Sequence, residues 1–133
     1  MTARDEAQSV SATLLGSHWD DTDAAPSVLQ PAESLRVFWV DPVLLPLMDG
    51  YLRGRAQDVA TMALALDTGD WPAIRKAGHS MHGSGASYGI PPISEFGDAL
   101  EQAADAQDHA SVRGLLVALA AFLTHVRVRA EPE

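Results

Sequence analysis

One histidine, His79, stands in a run of small residues that extends from Gly78 to Gly89. On a helical wheel of about 100° per residue, the apolar and small residues around it fall in one sector, which must pack against the rest of the protein: Ile74, Ala77, Gly78, Met81, Gly85 and Tyr88. His79 lies more than a quarter turn outside that sector, so its imidazole should face solvent. A neutral imidazole is a good nitrogen nucleophile at cellular pH, and its attack on a phosphoryl group bound to a carboxylate gives phosphohistidine.

The neighbours of His79 on the outer face suit a charged, bulky partner. Arg75 lies one turn before it, His82 and Gly83 lie one turn after it, and Ala86 follows. We therefore expect Arg75 to give electrostatic support to a phosphate and the region around Gly83 and Ala86 to contact the partner.

A solvent-facing histidine on a helix usually has no function. Two glycines indicate that this histidine does have a function, because Gly83 and Gly85 in the middle of a helix each cost roughly 1 kcal/mol of stability relative to alanine. We interpret the two missing side chains as clearance for another protein.

These residues resemble the histidine-containing phosphotransfer domains, whose motif is a histidine, any residue, an aliphatic residue, a lysine, a glycine and a small residue. The matching run is His79-Ser80-Met81-His82-Gly83-Ser84. The run from Gly69 to Ile74 is similar to the family's turn into the histidine helix. Phe96 to Glu101 is similar to its next helix, with an acidic residue after the leucine. The resemblance spans about residues 41 to 127.

The resemblance implies a phosphorelay intermediate in which His79 is the phosphorylated nucleophile. The implied partners are the receiver domains of a hybrid sensor histidine kinase and of a response regulator, with Mg²⁺ on the partner receiver only and no cofactor on this chain. The sequence has no Gly-rich phosphate loop, Walker-type lysine motif or kinase signature, so we expect no ATP site and no enzyme activity of its own. His82 stands where the family has the lysine that helps to hold the phosphoryl group. It either donates a hydrogen bond to that group, more strongly when protonated, or is only a tolerated surface residue.

The formal charge of −9 argues against a nucleic-acid partner, since phosphate backbones are held by clustered lysine and arginine. Four basic residues fall on segments expected to meet beside His79, where they would form a local positive patch for an acidic or phosphorylated protein: Arg53, Arg55, Arg75 and Lys76. The alternative is that these side chains are only solvated.

A length of 133 residues with 47% hydrophobic content predicts one domain with a real core. The absence of cysteine excludes disulfides and thiolate metal sites. The sequence contains neither a long apolar run nor a signal-peptide pattern, so we expect a soluble, cytoplasmic protein, and we expect a monomer.

Residues 1–34 have the composition of a flexible tail, or form an extra helix through the cluster Val10, Leu14, Leu15 and Trp19. Residues 35–129 should form the domain, an all-α, antiparallel up-down-up-down four-helix bundle. We expect no segment to alternate with strand periodicity.

The four helices are predicted from apolar positions at three- and four-residue steps. The first helix starts at Val40-Asp41-Pro42, with its regular part beginning at Leu45 or Pro46 because of the second proline, and ends at Gly69. The second runs from Trp71 to about Tyr88 after the cap Asp70. Pro91-Pro92 opens the third, and Asp108 caps the fourth, whose apolar stripe extends to Val126.

Because a short loop joins the first two helices, residues of the first helix should lie at the height of His79. We expect three of them, together with Lys76, to take part in docking: Arg55, Asp58 and Met62.

Two other classes of function compete with phosphotransfer. His79 and His82 could share a metal ion, but two histidines are not enough and no carboxylate has ligand spacing on their helix. The ligand set would have to be completed across the bundle, so we expect no metal site. The same face could instead bind a receiver without phosphotransfer and sequester a response regulator. A small-molecule enzyme is least favoured, because the pattern shows no nucleophile and base pair.

Overall fold

The computed structural model describes residues 35–132, so the expected tail or extra helix at 1–34 lies outside the described residues. The elements follow in this order: β1 (Arg36–Val40), α1 (Leu45–Thr68), α2 (Trp71–Gly85), α3 (Pro91–Asp105), α4 (His109–His125) and β2 (Val126–Ala130). The predicted all-α helical bundle is confirmed, with a small two-stranded sheet added to it.

α1 begins at Leu45 and not at Asp41-Pro42, and α2 ends at Gly85, three residues before its predicted end near Tyr88. The other boundaries were predicted, and they follow from local backbone chemistry. The side chain of Asp70 accepts a hydrogen bond from the Ala73 N–H at 3.2 Å, and that of Asp108 accepts one from the Ser111 N–H at 3.1 Å. Each carboxylate thereby satisfies a donor that a helix start leaves without a partner. Gly69 ends α1 in the left-handed conformation, with φ of 70°.

The apolar stripes of the four helices meet in one core. Seven of its side chains, at least one from each helix, are at most 1% exposed: Met62, Ile74, Met81, Phe96, Leu100, Leu115 and Leu119. Full burial of such a side chain contributes about 1.5–3 kcal/mol each. These contacts fix which face of α2 is turned inward, and therefore which face carries His79 outward.

Glycines bring the backbones of α2 and α3 into direct contact. A Cβ at Gly78 would lie 2.8 Å from the Gly97 carbonyl oxygen, and a Cβ at Gly97 would overlap the backbone at Met81 and His82. Gly85 is also buried, and a Cβ there would overlap the backbone at Ser94. Our interpretation of Gly85 as clearance for a partner was therefore wrong, because the space it leaves is filled by α3.

The strands β1 and β2 pair in parallel, with Arg36 opposite Val126 and Val40 opposite Ala130. The expectation that no segment alternates with strand periodicity was wrong. In β1 the alternation places Val40 in the core and leaves Trp39 57% exposed. The helical stripe predicted to reach Val126 ends one residue earlier, because Val126 is extended and already belongs to β2.

The glycine contact makes a testable prediction about stability. Gly97→Ala should lower the free energy of unfolding by about 3 kcal/mol or more, because the added methyl group has to push two helix backbones apart. Gly83→Ala is the matched control, since a Cβ at Gly83 meets nothing within 4 Å. It should raise stability by up to about 1 kcal/mol. Urea unfolding monitored by circular dichroism measures both, and equal effects of the two substitutions would contradict the packing described here.

Candidate functional site

The imidazole of His79 projects from the outer face of α2, and its side chain is 75% exposed. One side of the ring is occupied. Its Nδ1 lies 3.2 Å and 3.3 Å from the two carboxylate oxygens of Glu101 on α3. The side chain of Glu101 is itself only 23% exposed, so the exposed ring of His79 contacts a partly buried group on the neighbouring helix.

The contact with Glu101 fixes which ring nitrogen of His79 can act as the nucleophile. An ionised carboxylate only accepts hydrogen bonds, so Nδ1 carries the proton and donates it. Nε2 then keeps its lone pair in the neutral ring. The geometry therefore favours one tautomer, in which the second ring nitrogen is exposed with its lone pair free.

His79 is the middle member of a row of three pairs between α2 and α3, which we call the α2–α3 charge row. The row consists of Arg75 with Asp105 (3.6 Å), His79 with Glu101 (3.2 Å) and His82 with Asp98 (3.8 Å). Residue numbers fall along α3 as they rise along α2, so these two helices run in opposite directions.

The acidic half of this row was missed by the sequence reasoning. Asp98, Glu101 and Asp105 were recognisable as part of the polar face of the third helix, but periodicity alone does not show which residue lies opposite His79. The usable signal was the spacing of three and four residues on both helices, which an antiparallel pairing aligns.

The expected positive patch is wrong, because acidic partners offset it. Three of its four members form ion pairs: Arg53 with Asp49, Arg55 with Asp58 and Arg75 with Asp105. Within residues 35–132, Lys76 is the member that forms no ion pair. The surface beside His79 therefore carries both signs of charge.

The docking role predicted for Met62 is also wrong, because its side chain is completely buried. A short loop sets the height of a residue on the first helix but not the direction in which it points, and the apolar stripe turns Met62 inward. Arg55 stacks on the ring of Tyr51, with its Cζ 4.7 Å from the ring centroid, and its Nε donates to Asp58 at 2.7 Å. Arg55 and Asp58 are partly buried at the α1 surface, and their docking role stays a prediction.

The remaining predicted docking residues lie on the exposed face of α2 and just beyond its end. Lys76, Gly83 and Ala86 are all exposed. Gly83 leaves its surroundings bare, whereas the backbone N–H of Ala86 donates to the Ser94 hydroxyl at 2.8 Å. Few side-chain atoms project from this surface at Gly83 and Ala86, and the hydrogen bond to Ser94 attaches it to α3.

One group near His79 has the composition of a metal site. Ligand atoms of His82, Asp98 and Glu101 lie within 4.8 Å of one another. The sequence offered no carboxylate with ligand spacing on the histidine helix, so a metal site required ligands from across the bundle, and these two carboxylates are on α3.

Residues 47–128 match the family model described as the Hpt domain. The match covers more than half of the chain, and the chain belongs to this family, as the resemblance around His79 indicated. Neither a curated protein nor a solved structure matches the chain significantly. Membership implies phosphotransfer in two-component or phosphorelay signalling through contact with receiver domains. Hpt domains are phosphotransfer modules rather than enzymes with their own ATP site.

Among residues 35–132, no helix has the length and apolar character needed to cross a membrane.

The contact between His79 and Glu101 predicts the tautomer of the ring. In the wild type, the neutral His79 ring should be protonated predominantly at Nδ1, and Glu101→Ala should release it into a mixture of both tautomers. Ring ¹⁵N chemical shifts in NMR spectra at about pH 8, where an ordinary imidazole is neutral, report this directly. Asp105→Ala, one turn along α3, is the control and should leave the His79 shifts unchanged. A wild-type ring protonated mainly at Nε2 would contradict the geometry.

Proposed function

We propose that this chain is a phosphorelay intermediate that accepts a phosphoryl group from a receiver-domain aspartate onto His79 and passes it to another receiver domain. One observation carries the proposal. On the histidine helix of an Hpt domain, His79 is largely exposed while its Nδ1 is held by Glu101, which leaves Nε2 available to an incoming phosphoryl group.

The transfer step follows from this arrangement. Nε2 of His79 attacks the phosphorus of the aspartyl phosphate, the P–N bond forms as the P–O bond breaks, and the aspartate carboxylate leaves with the electron pair. The ring becomes cationic, and the carboxylate of Glu101 stabilises that charge through the Nδ1–H. Return of the phosphoryl group to a second aspartate is the reverse step, and both directions depend mainly on positioning and charge neutralisation.

The phosphoryl group also needs donors, and two members of the α2–α3 charge row can supply them. Arg75 and Asp105 are both more than half exposed and 3.6 Å apart, so their ion pair is weak and the guanidinium is free to rotate. The His82 Nδ1 lies 3.8 Å from Asp98, too far for a hydrogen bond. Both side chains can therefore turn toward a phosphoryl group on His79.

The carboxylates of Asp98 and Glu101 oppose this binding by repelling the phosphoryl oxygens. A cation on the partner has to offset that repulsion, and we assign this role to Mg²⁺ on the receiver domain rather than to a cofactor of this chain. The donating receiver belongs to a hybrid sensor histidine kinase and the accepting one to a response regulator.

Phosphotransfer itself tests the assignment of His79. Incubation with a phosphorylated receiver domain should place a base-stable, acid-labile label on the wild type and none on His79→Gln. His109→Gln removes another exposed histidine, at the start of α4, and should keep the label. Receiver binding by the wild type without any label would overturn the proposal in favour of a module that only sequesters the regulator.

The bare surface at Gly83 tests the docking face. Gly83→Gln should slow phosphotransfer by about tenfold, equivalent to about 1.4 kcal/mol, because its side chain occupies the space of the partner. Stability should not fall, since the position is open and glutamine is a better helix former than glycine. Rapid-quench transfer kinetics measure the effect, with Gly50→Gln, at an open and exposed glycine of α1, as the control. Unchanged transfer in Gly83→Gln would place the docking face elsewhere.

A further inference from the structure

Three side chains that could bind a metal ion lie at the His82 end of the α2–α3 charge row. His82, Asp98 and Glu101 each bring one ligand atom into a space where all three atoms lie within 4.8 Å of one another. The set combines one imidazole nitrogen with two carboxylate oxygens. It therefore differs from a purely acidic cluster, which would attract any cation weakly.

This donor set fits zinc better than magnesium. Zn²⁺ binds histidine and carboxylate ligands at about 2.0–2.2 Å in a tetrahedral arrangement, which brings ligand atoms to about 3.3–3.6 Å from one another. Mg²⁺ requires near-octahedral oxygen coordination and retains its water. His82 and Asp98 are about half exposed, at 50% and 47%, so rotation of their side chains can close the remaining distance.

The scaffold beneath the three ligands is rigid. Gly97, next to Asp98, packs directly against the backbone at His82, so the two helices hold the ligand-bearing backbone segments at a fixed separation. Only side chains have to move when an ion binds. Metal sites in the cores of helical bundles are likewise built from side chains on facing helices, although the present group lies at the surface.

We propose that His82, Asp98 and Glu101 form a surface site for a divalent transition-metal ion such as Zn²⁺, and that binding there competes with the use of His79. The replacement of the motif lysine by His82 creates this site, because a protonated lysine has no lone pair for a metal whereas imidazole has one.

The competition follows from the shared carboxylate. Glu101 bonds to the His79 Nδ1 at 3.2 Å and is also one of the three proposed ligands. A bound ion draws the Glu101 carboxylate away from His79 or recruits the His79 ring as a fourth ligand, and either change disturbs the nucleophile. Metal binding is independent of the proposed function, whereas its effect on transfer rests on that function.

Calorimetric titration of the full chain with ZnCl₂ in chelator-free buffer tests the site. We expect one ion per chain with micromolar affinity and no heat from millimolar MgCl₂. His82→Lys, which restores the motif residue, should abolish binding, and Asp98→Asn should weaken it by about tenfold or more. His109→Ala and His18→Ala are the controls, the latter outside the described residues, and both should bind as the wild type does.

Two results would overturn the metal site. One is that the wild type binds no zinc at ZnCl₂ concentrations up to about 100 μM, and the other is that His82→Lys binds zinc as well as the wild type does. Circular dichroism of each variant establishes that the fold is retained.

Phosphotransfer kinetics with and without zinc test whether metal binding competes with the use of His79. Zinc should slow phosphotransfer by the wild type by about tenfold and leave His82→Lys unaffected, with the receiver loaded with Mg²⁺ in both cases. Zinc that binds at His82 without slowing transfer would overturn the competition. If no transfer occurs even without zinc, the proposed function fails, while the titration still decides the metal site.

Discussion

The contact between the backbones of α2 and α3 at Gly78 and Gly97 is the constraint on which the site depends. Helices whose interface lacks side chains on both sides approach more closely than the 8–10 Å that is usual between helix axes. Side chains on the flanks of the two helices can then meet across the seam. Glu101 reaches His79 for this reason, although 22 residues separate them in sequence. Gly78, the immediate neighbour of His79, thus acts from inside the bundle.

The surroundings of His79 reconcile two requirements that conflict in most proteins. A nucleophile that reacts with another protein has to be exposed, but an exposed side chain is usually free to rotate. Here the ring stands in solvent while Glu101, a partly buried carboxylate, holds one of its nitrogens. The same carboxylate adds negative charge beside the ring, so the proposed transfer to His79 calls for a cation supplied from outside the chain.

The sequence was sufficient to predict the four helices, their caps at Asp70 and Asp108, and the outward face of His79, because each depends on local chemistry or on helical period. It failed where the answer depends on how two elements are placed against each other. Gly83 and Gly85 are identical in type and two positions apart, yet one faces open space and the other faces α3. Height along α1 did not reveal that Met62 points inward. The two strands were missed because each alternates over only five residues, too short a pattern to stand out beside a helical stripe.

The parallel pairing of β1 with β2 has a mechanical consequence. Arg36, where the chain enters the sheet, lies beside Val126, and Ala130, where the chain leaves it, lies beside Val40. Tension applied between the polypeptide before β1 and the polypeptide after β2 pulls the strands along their own axes in opposite senses. All hydrogen bonds of the ladder then share the load in shear instead of opening one by one like a zipper. The sheet therefore resists a force transmitted along the chain before that force reaches the helices.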